Sequence, residues 1–246
     1  MSAPNRFQIE LAEISIGLTD RYGALKEHCK DYLTDTPPLF HVEASDEEIR
    51  RAMALSEDEG LKNSPALAEL VCVYRTICKT LPQYGVFLFH SAAVEYDQKA
   101  FLFSAPSGTG KSTHIKLWRE CFGKRISMIN GDKPLLRPEE NGSITVFSSP
   151  WAGKEGWQRR CSYPLGGLCF LKRGVTNEIR SLDHTECGER VLKQILFPAD
   201  PTALAHTLAF ADLLAESVPA FELACTISKQ AAELSFNALT STDPKA

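Results

Sequence analysis

From Ala105 to Thr113 the chain reads Ala-Pro-Ser-Gly-Thr-Gly-Lys-Ser-Thr. Two glycines, a lysine and two hydroxyls in this order suit one chemistry, the holding of phosphate. Glycine lets successive backbone N–H groups approach phosphate oxygens, and a helix starting at the lysine adds unpaired N–H groups and its positive end. Lys111 can neutralise phosphate charge, Ser112 can place its hydroxyl on Mg²⁺, and Thr113 can support the loop or touch phosphate. Ser107, Gly108, Thr109 and Gly110 complete the candidate phosphate-binding set. The strict pattern asks for glycine where this chain has Ala105, a substitution that fits if the alanine φ is negative.

A second candidate lies about twenty residues on, where the apolar run Ile126–Ile129 delivers Asn130-Gly131-Asp132 at its end. Asp132 is placed there like a site residue, with a turn cap as its plain alternative. Further on, Trp151-Ala-Gly-Lys-Glu-Gly-Trp157 reads as an acceptor-side loop in which Lys154 can meet an anion and Glu155 is a further candidate for Mg²⁺. Arg159 and Arg160 can stabilise transferred charge through their fixed guanidinium geometry, or can be a solvated basic pair.

These residues need elements to hold them. Val86–His90 and the stretch through Tyr96 read as strands, a turn falls at Asp97-Gln98, and Ala100–Ser104 is the strand that feeds the glycine loop. The helix after the loop carries Ile115, Leu117 and Trp118 and ends near Gly123; its His114 is expected on the helix surface. Earlier, Ser45 and Glu48 form a capping-box pattern, and Ser64-Pro65 opens a helix whose Leu67, Leu70, Val71, Tyr74, Ile77, Cys78 and Leu81 recur at three- and four-residue steps. Later strands are expected at Ile144–Phe147 and Leu165–Leu171. Helices are expected around Val191–Leu196 and Leu204–Leu214, then an edge strand at Phe221–Ile227 and a last helix near Gln230–Leu234. We read residues 1–80 as an N-terminal elaboration with a sheet-covering helix, 81–236 as the phosphate-binding domain and 237–246 as a tail.

Taken together, the His90-containing strand pair, Ser107-Gly-Thr-Gly-Lys-Ser112 and the Asn130-Gly-Asp132 turn resemble the catalytic domain of bacterial HPr kinase/phosphorylases over roughly His90–Leu214. That family is related in fold to phosphoenolpyruvate carboxykinases, so the resemblance implies an α/β, mixed-sheet P-loop domain. It also implies His90 at the phosphate site or in a proton relay, and Asp132 as the base or the Mg²⁺ organiser. The implied reaction is ATP-dependent, Mg²⁺-assisted phosphorylation of a hydroxyl, with serine in a peptide or small protein as the leading acceptor. A small-molecule hydroxyl kinase and a non-catalytic nucleotide-binding regulator are the alternatives, GTP stays open beside ATP, and a homo-oligomer is compatible with the family. Two departures restrict this. Gly131 stands where the family usually has a second aspartate, and the acidic, Arg-Gly-rich signature of the reverse phosphorylase reaction is absent, so kinase-like chemistry is implied without fixing HPr as substrate.

Composition narrows the classes further. The chain has 246 residues with 31 acids against 27 lysines and arginines, a net charge of −4, so no general attraction to nucleic acid or an anionic membrane is expected. Its eight cysteines include no C-x-x-C pair, which argues against a disulfide framework or a structural zinc site and for small buried thiols. With neither a basic apolar leader nor an 18-residue apolar span in view, a soluble cytoplasmic protein is expected.

Overall fold

The computed structural model describes residues 5–106 and 108–241. The Ser107 expectation therefore falls outside the described residues. The chain begins with β1 (Asn5–Leu11) and β2 (Ile14–Asp20), an antiparallel hairpin that turns through Ala12 and Glu13 with φ of 48° and 65°. Positive φ at both central residues is the geometry that keeps hairpin strands in twist. After α1 (Leu25–His28), β3 (Phe40–Val42) joins β2 in parallel to complete a three-stranded sheet.

Three helices follow. α2 (Asp46–Leu55) starts on the Ser45–Glu48 capping box, α3 (Glu59–Lys62) is capped by Asp58, and α4 (Pro65–Thr80) begins with Ser64 accepting from the Leu67 amide and proline in its first turn. α4 buries Ala68, Leu70, Val73, Tyr74 and Ile77 in a core shared with β1, β2 and, from much later in the chain, Phe147 and Trp151. Leu67, expected on the buried stripe, is 45% exposed.

Among the described residues the larger sheet has nine strands. β4 (Phe87–Leu88), β5 (Ala92–Tyr96) and β6 (Lys99–Ser104) come first, with β5 and β6 joined through Asp97 and Gln98, again both at positive φ. β6 leads through the glycine loop into α5 (Lys111–Phe122), which stops at Gly123. β7 (Ser127–Asn130), β8 (Leu135–Pro138), β9 (Ile144–Phe147), the long β10 (Ser162–Arg173) and β11 (Glu178–Ser181) follow. The chain closes with α6 (His184–Leu192), α7 (Pro201–Ser217), β12 (Ala220–Cys225) and α8 (Lys229–Thr240).

The fold is thus α/β with mixed sheets. β6 is parallel to β10 on one side and antiparallel to β5 on the other, and β5 is antiparallel to β7. Side chains alternate across β6: Phe101 and Phe103 join Ile115 and Trp118 of α5 and Ala232 and Leu239 of α8, while Ala100 and Leu102 join Val191 of α6 and Phe210 and Leu214 of α7. Both faces of the central strands are covered, and Phe101 and Phe103 are core residues.

Several expectations are corrected here. β12 is not an edge strand, since it pairs with β10 on one side and β11 on the other. The helix expected through Leu196 ends at Leu192, and Ile195 instead bridges to Phe89. α8 runs on to Thr240 with Leu239 buried, so residues 237–240 are a helical turn and no tail starts at Asn237. His114 is 3% exposed and bonds Ser235 Oγ at 2.9 Å, so it faces the core and not solvent. The eight cysteines are free thiols, and among the described residues no helix is long and apolar enough to cross a membrane.

Candidate functional site

Strand direction explains why distant residues meet. Because β5 runs against β6, the start of β5 lies beside the end of β6, with Ala92 opposite Phe103; because β7 runs against β5, the end of β7 reaches the same edge, with Asn130 opposite Ala93. Three chain crossings therefore deliver His90, Lys111 and Asp132 to one point. Backbone and side-chain bonds lock the crossings together: Ser104 Oγ donates to His90 O at 2.8 Å, and Ser91 N to Asp132 O at 3.2 Å.

The three side chains touch. His90 Nε2 is 3.1 Å from Asp132 Oδ1 and 3.1 Å from Lys111 Nζ, and Lys111 Nζ is 3.8 Å from Asp132 Oδ1 and donates to Ala105 O at 3.3 Å. Lys133 pairs with the other carboxylate oxygen of Asp132. Burial works against ionising Asp132, but the bonds from His90 and Lys133 and the positive charge of Lys133 outweigh it and hold the carboxyl well below the usual carboxylate range. Burial also pushes the Lys111 ammonium down, against the pull of Asp132 and together with the push of Lys133. Two lysines thus crowd one carboxylate at the end of the glycine loop.

Glycine is required at specific points. Gly108 and Gly110 sit at φ of +75° and +112°, where a Cβ would meet nothing within 4 Å; the backbone conformation, not space, demands them. Ala105 is not among the residues of positive φ, so the alanine fits where the strict pattern asks for glycine. Gly110 is also the N-cap of α5. It offers no side-chain acceptor, and no acid lies in the first turn, so no side chain caps the leading N–H groups of the helix. Gly131 answers a different need: a Cβ there would lie 2.6 Å from Ala152 O, so a second aspartate in the acidic turn has no room.

Asn130 builds that turn. Its side-chain oxygen accepts from the amides of Asp132 (2.9 Å) and Lys133 (2.6 Å), while its Nδ2 donates to Ser149 O at 2.9 Å. The Trp151–Trp157 loop then closes over Asp132, with Gly153 at φ +78° against the aspartate Cβ. Trp151 is buried, stacks on Tyr74 at 4.2 Å and donates to Leu70 O at 3.1 Å, which ties this loop to α4.

A cavity of about 980 Å³ opens beside the cluster. Lys111, Ser112, Thr113, Gly108, Gly110, His90 and Asp132 line its inner end, Lys154 and Glu155 its mouth, and Leu67, Leu70 and Val71 of α4 one wall. Lys154 is 91% exposed and pairs with Asp58 at 3.3 Å. Thr109 faces away, into a second cavity of about 380 Å³ behind the loop that Gly108, Gly110 and Thr113 also border, with Leu117, Leu171 and Ile227 as apolar walls. Arg173 Nη2 donates to Gly108 O at 2.8 Å and steadies the loop from that side.

The basic pair does not join the cluster. Arg159 donates to the Tyr163 hydroxyl at 3.0 Å, and Arg160 pairs with Glu10 at 2.8 Å and donates to Asp31 O, so the expectation that they meet transferred charge is corrected. Lys133 is instead the further cation in contact with Asp132, and Gln194 Oε1, 3.1 Å from His90 Nδ1, orients the imidazole. Neither was singled out from the sequence. Lys133 directly follows Asp132 and could have been flagged, whereas nothing local marks Gln194, which reaches the site because α6 ends early.

For Mg²⁺, no group of three or more His, Cys, Asp or Glu side chains suited to a metal occurs among the described residues. Ser112 and Asp132 line the same cavity, and this sparse oxygen set fits a cation that takes its other ligands from phosphate and water.

No protein-family model and no curated protein sequence matches the chain. Among solved structures, it is similar to the HPr(Ser) kinase/phosphatase from Coxiella burnetii over 52% of this chain and 90% of that one, at 14% identity and a TM-score of 0.30. Superposition that loose transfers no residue role, and the chemistry has to be argued from the cluster itself.

Proposed function

We propose that the protein transfers the γ-phosphoryl group of ATP or GTP to a hydroxyl, with a serine in a peptide or small protein as the favoured acceptor. The observation that carries this is the meeting of Lys111, His90 and Asp132 at the end of a glycine loop whose helix has no side-chain N-cap. The glycine loop and the first amides of α5 would hold the phosphate chain, and the nucleoside would lie in the smaller cavity against Leu117, Leu171 and Ile227. Mg²⁺, when bound, would neutralise charge on the phosphate oxygens from Ser112 and Asp132.

Lys111 would leave Asp132 and His90 for a phosphate oxygen. His90 and Lys133, the partners that hold the Asp132 carboxyl down, stay in place, so the carboxylate remains ionised and able to accept a hydrogen bond. Asp132 then orients the acceptor hydroxyl. The phosphorus bond to the leaving oxygen breaks as the bond to the acceptor oxygen forms, and the hydroxyl proton passes to Asp132 or to His90 Nε2. Because the transition state is loose, this proton moves late and a strong base is not needed. The main cavity is far larger than a phosphate group and has an apolar wall, with room for a peptide segment as well as for a small metabolite, and labelling of the two acceptor pools separates them.

The test is transfer of radiolabelled γ-phosphate to defined serine-peptide and metabolite pools by the parent, Lys111→Ala and Asp132→Asn. The parent should label peptides. Lys111→Ala should lose both nucleotide affinity and labelling, and Asp132→Asn should keep nucleotide but lose at least about 10²-fold in rate. A folded, nucleotide-binding parent that labels no acceptor would sink the proposal.

A further inference from the structure

A third cavity, of about 570 Å³, lies on the outer side of the N-terminal segment between α2, α3 and α4. Arg51 of α2 faces Arg75 and Lys79 of α4 across it. Among the described residues no carboxylate comes within ion-pair distance of any of these three cations. The one acid on the lining, Glu48, accepts from both the amide and the hydroxyl of Ser45 through its Oε2. The lining therefore carries +2 on a chain whose net charge is −4. Arg75 and Lys79 stand four residues apart on one helix face, where like charges repel weakly, and a bound anion would relieve that repulsion.

The floor is apolar. Leu55, at the end of α2, is 73% exposed at its edge. Leu61 and Val71 belong to this groove and also to the wall of the main cavity that holds Asp132 and Lys111, so the two spaces adjoin along α3 and α4. We infer that this groove docks an acidic, partly apolar peptide segment of the phosphate acceptor, anchoring it while a hydroxyl elsewhere on the same chain reaches Asp132. The inference rests on the kinase reading for the reaction, but the docking itself needs only the groove. Three cations in a narrow apolar-floored groove suit a few carboxylates better than a nucleic-acid backbone, whose non-specific binding depends on many phosphate contacts. Charge complementarity and continuity with the phosphate site single out the peptide.

The probes are fluorescein-labelled serine peptides of one length whose flank is rich in Asp and Glu, neutral, or rich in Lys. Their anisotropy is titrated without nucleotide against the parent, Arg75→Glu, Lys79→Glu and Arg51→Glu. All three sites are exposed, and retained nucleotide binding reports that each variant is folded. The acidic peptide should bind at least tenfold more tightly than the neutral one, and each reversal should remove most of that preference. In the transfer assay Arg75→Glu should raise KM for the acidic peptide while kcat stays the same.

Loss of acidic-peptide binding in the reversal variants supports the groove even if no phosphate is transferred, in which case the kinase reading alone fails. Phosphate transfer indifferent to peptide charge, or equal binding of the acidic peptide by parent and Arg75→Glu, overturns the docking and leaves the kinase reading standing. A single-stranded oligonucleotide or a phosphatidylserine vesicle that binds more tightly than the acidic peptide, with the same dependence on the three cations, also overturns it.

Discussion

Acidification should loosen the helix that carries Lys111. His114 projects from α5 into the core, with Nε2 2.9 Å from Ser235 Oγ of α8, and Trp118 Nε1 donates to the same oxygen at 2.8 Å. Burial pushes its imidazole pKa down from 6.5 to about 4. The unfolded chain therefore takes up a proton near pH 6.5 that the folded chain refuses until about pH 4. Between those values the unfolded state holds more protons, so the stability this residue contributes is complete above pH 6.5 and drains as pH falls toward 4. The gap corresponds to roughly 3 kcal/mol in all, of which about 2 kcal/mol should be gone by pH 5. Urea unfolding of the parent and His114→Gln, followed by tryptophan fluorescence at pH 7.5, 6 and 5, isolates the effect. The glutamine can still bond Ser235 but does not titrate, and other buried groups such as His28 cancel in the difference. The parent should lose stability relative to the variant as pH falls, with no divergence above pH 7. Parallel curves from pH 7.5 to 5 would refute the buried, neutral imidazole.

Two further outcomes follow from packing around Asp132. In Gly131→Ala the new Cβ starts 2.6 Å from Ala152 O against an ordinary contact of 3.4 Å, so the 151–157 loop must retreat by the order of an ångström. A displacement of that size should cost about 10²-fold in kcat while nucleotide affinity, measured by titration, is unchanged. Trp151→Ala removes a side chain that is 7% exposed and stacked on Tyr74, and should lower stability by about 3–5 kcal/mol in denaturant unfolding. A variant as stable as the parent would show that this loop is not anchored through Trp151.

The two hairpin turns show why part of the fold was hidden. Ala12-Glu13 and Asp97-Gln98 both adopt positive φ without glycine or asparagine. The second turn was legible because strong β-formers flank it, but the first was not, and the three-stranded sheet it starts lay inside what reads only as an N-terminal elaboration. Capping chemistry was the reverse case: Ser45–Glu48 and Ser64-Pro65 act within one turn, and both helices begin where their residue types place them.

Local chemistry thus accounts for the glycine loop, the helix that follows it and the acidic turn, because each depends on neighbours within a few residues. The partners of Asp132 depend on strand direction. β5 and β7 each reverse relative to their neighbour, and that brings His90 and Asp132 to the loop from opposite sides in sequence. The same topology turns Arg159 and Arg160 toward Tyr163, Glu10 and Asp31, brings Gln194 onto His90, and leaves Arg51, Arg75 and Lys79 facing an open groove. Charge counts along the chain carry no information about which charges meet; the three-dimensional path of the backbone sets those distances, and the distances set the chemistry.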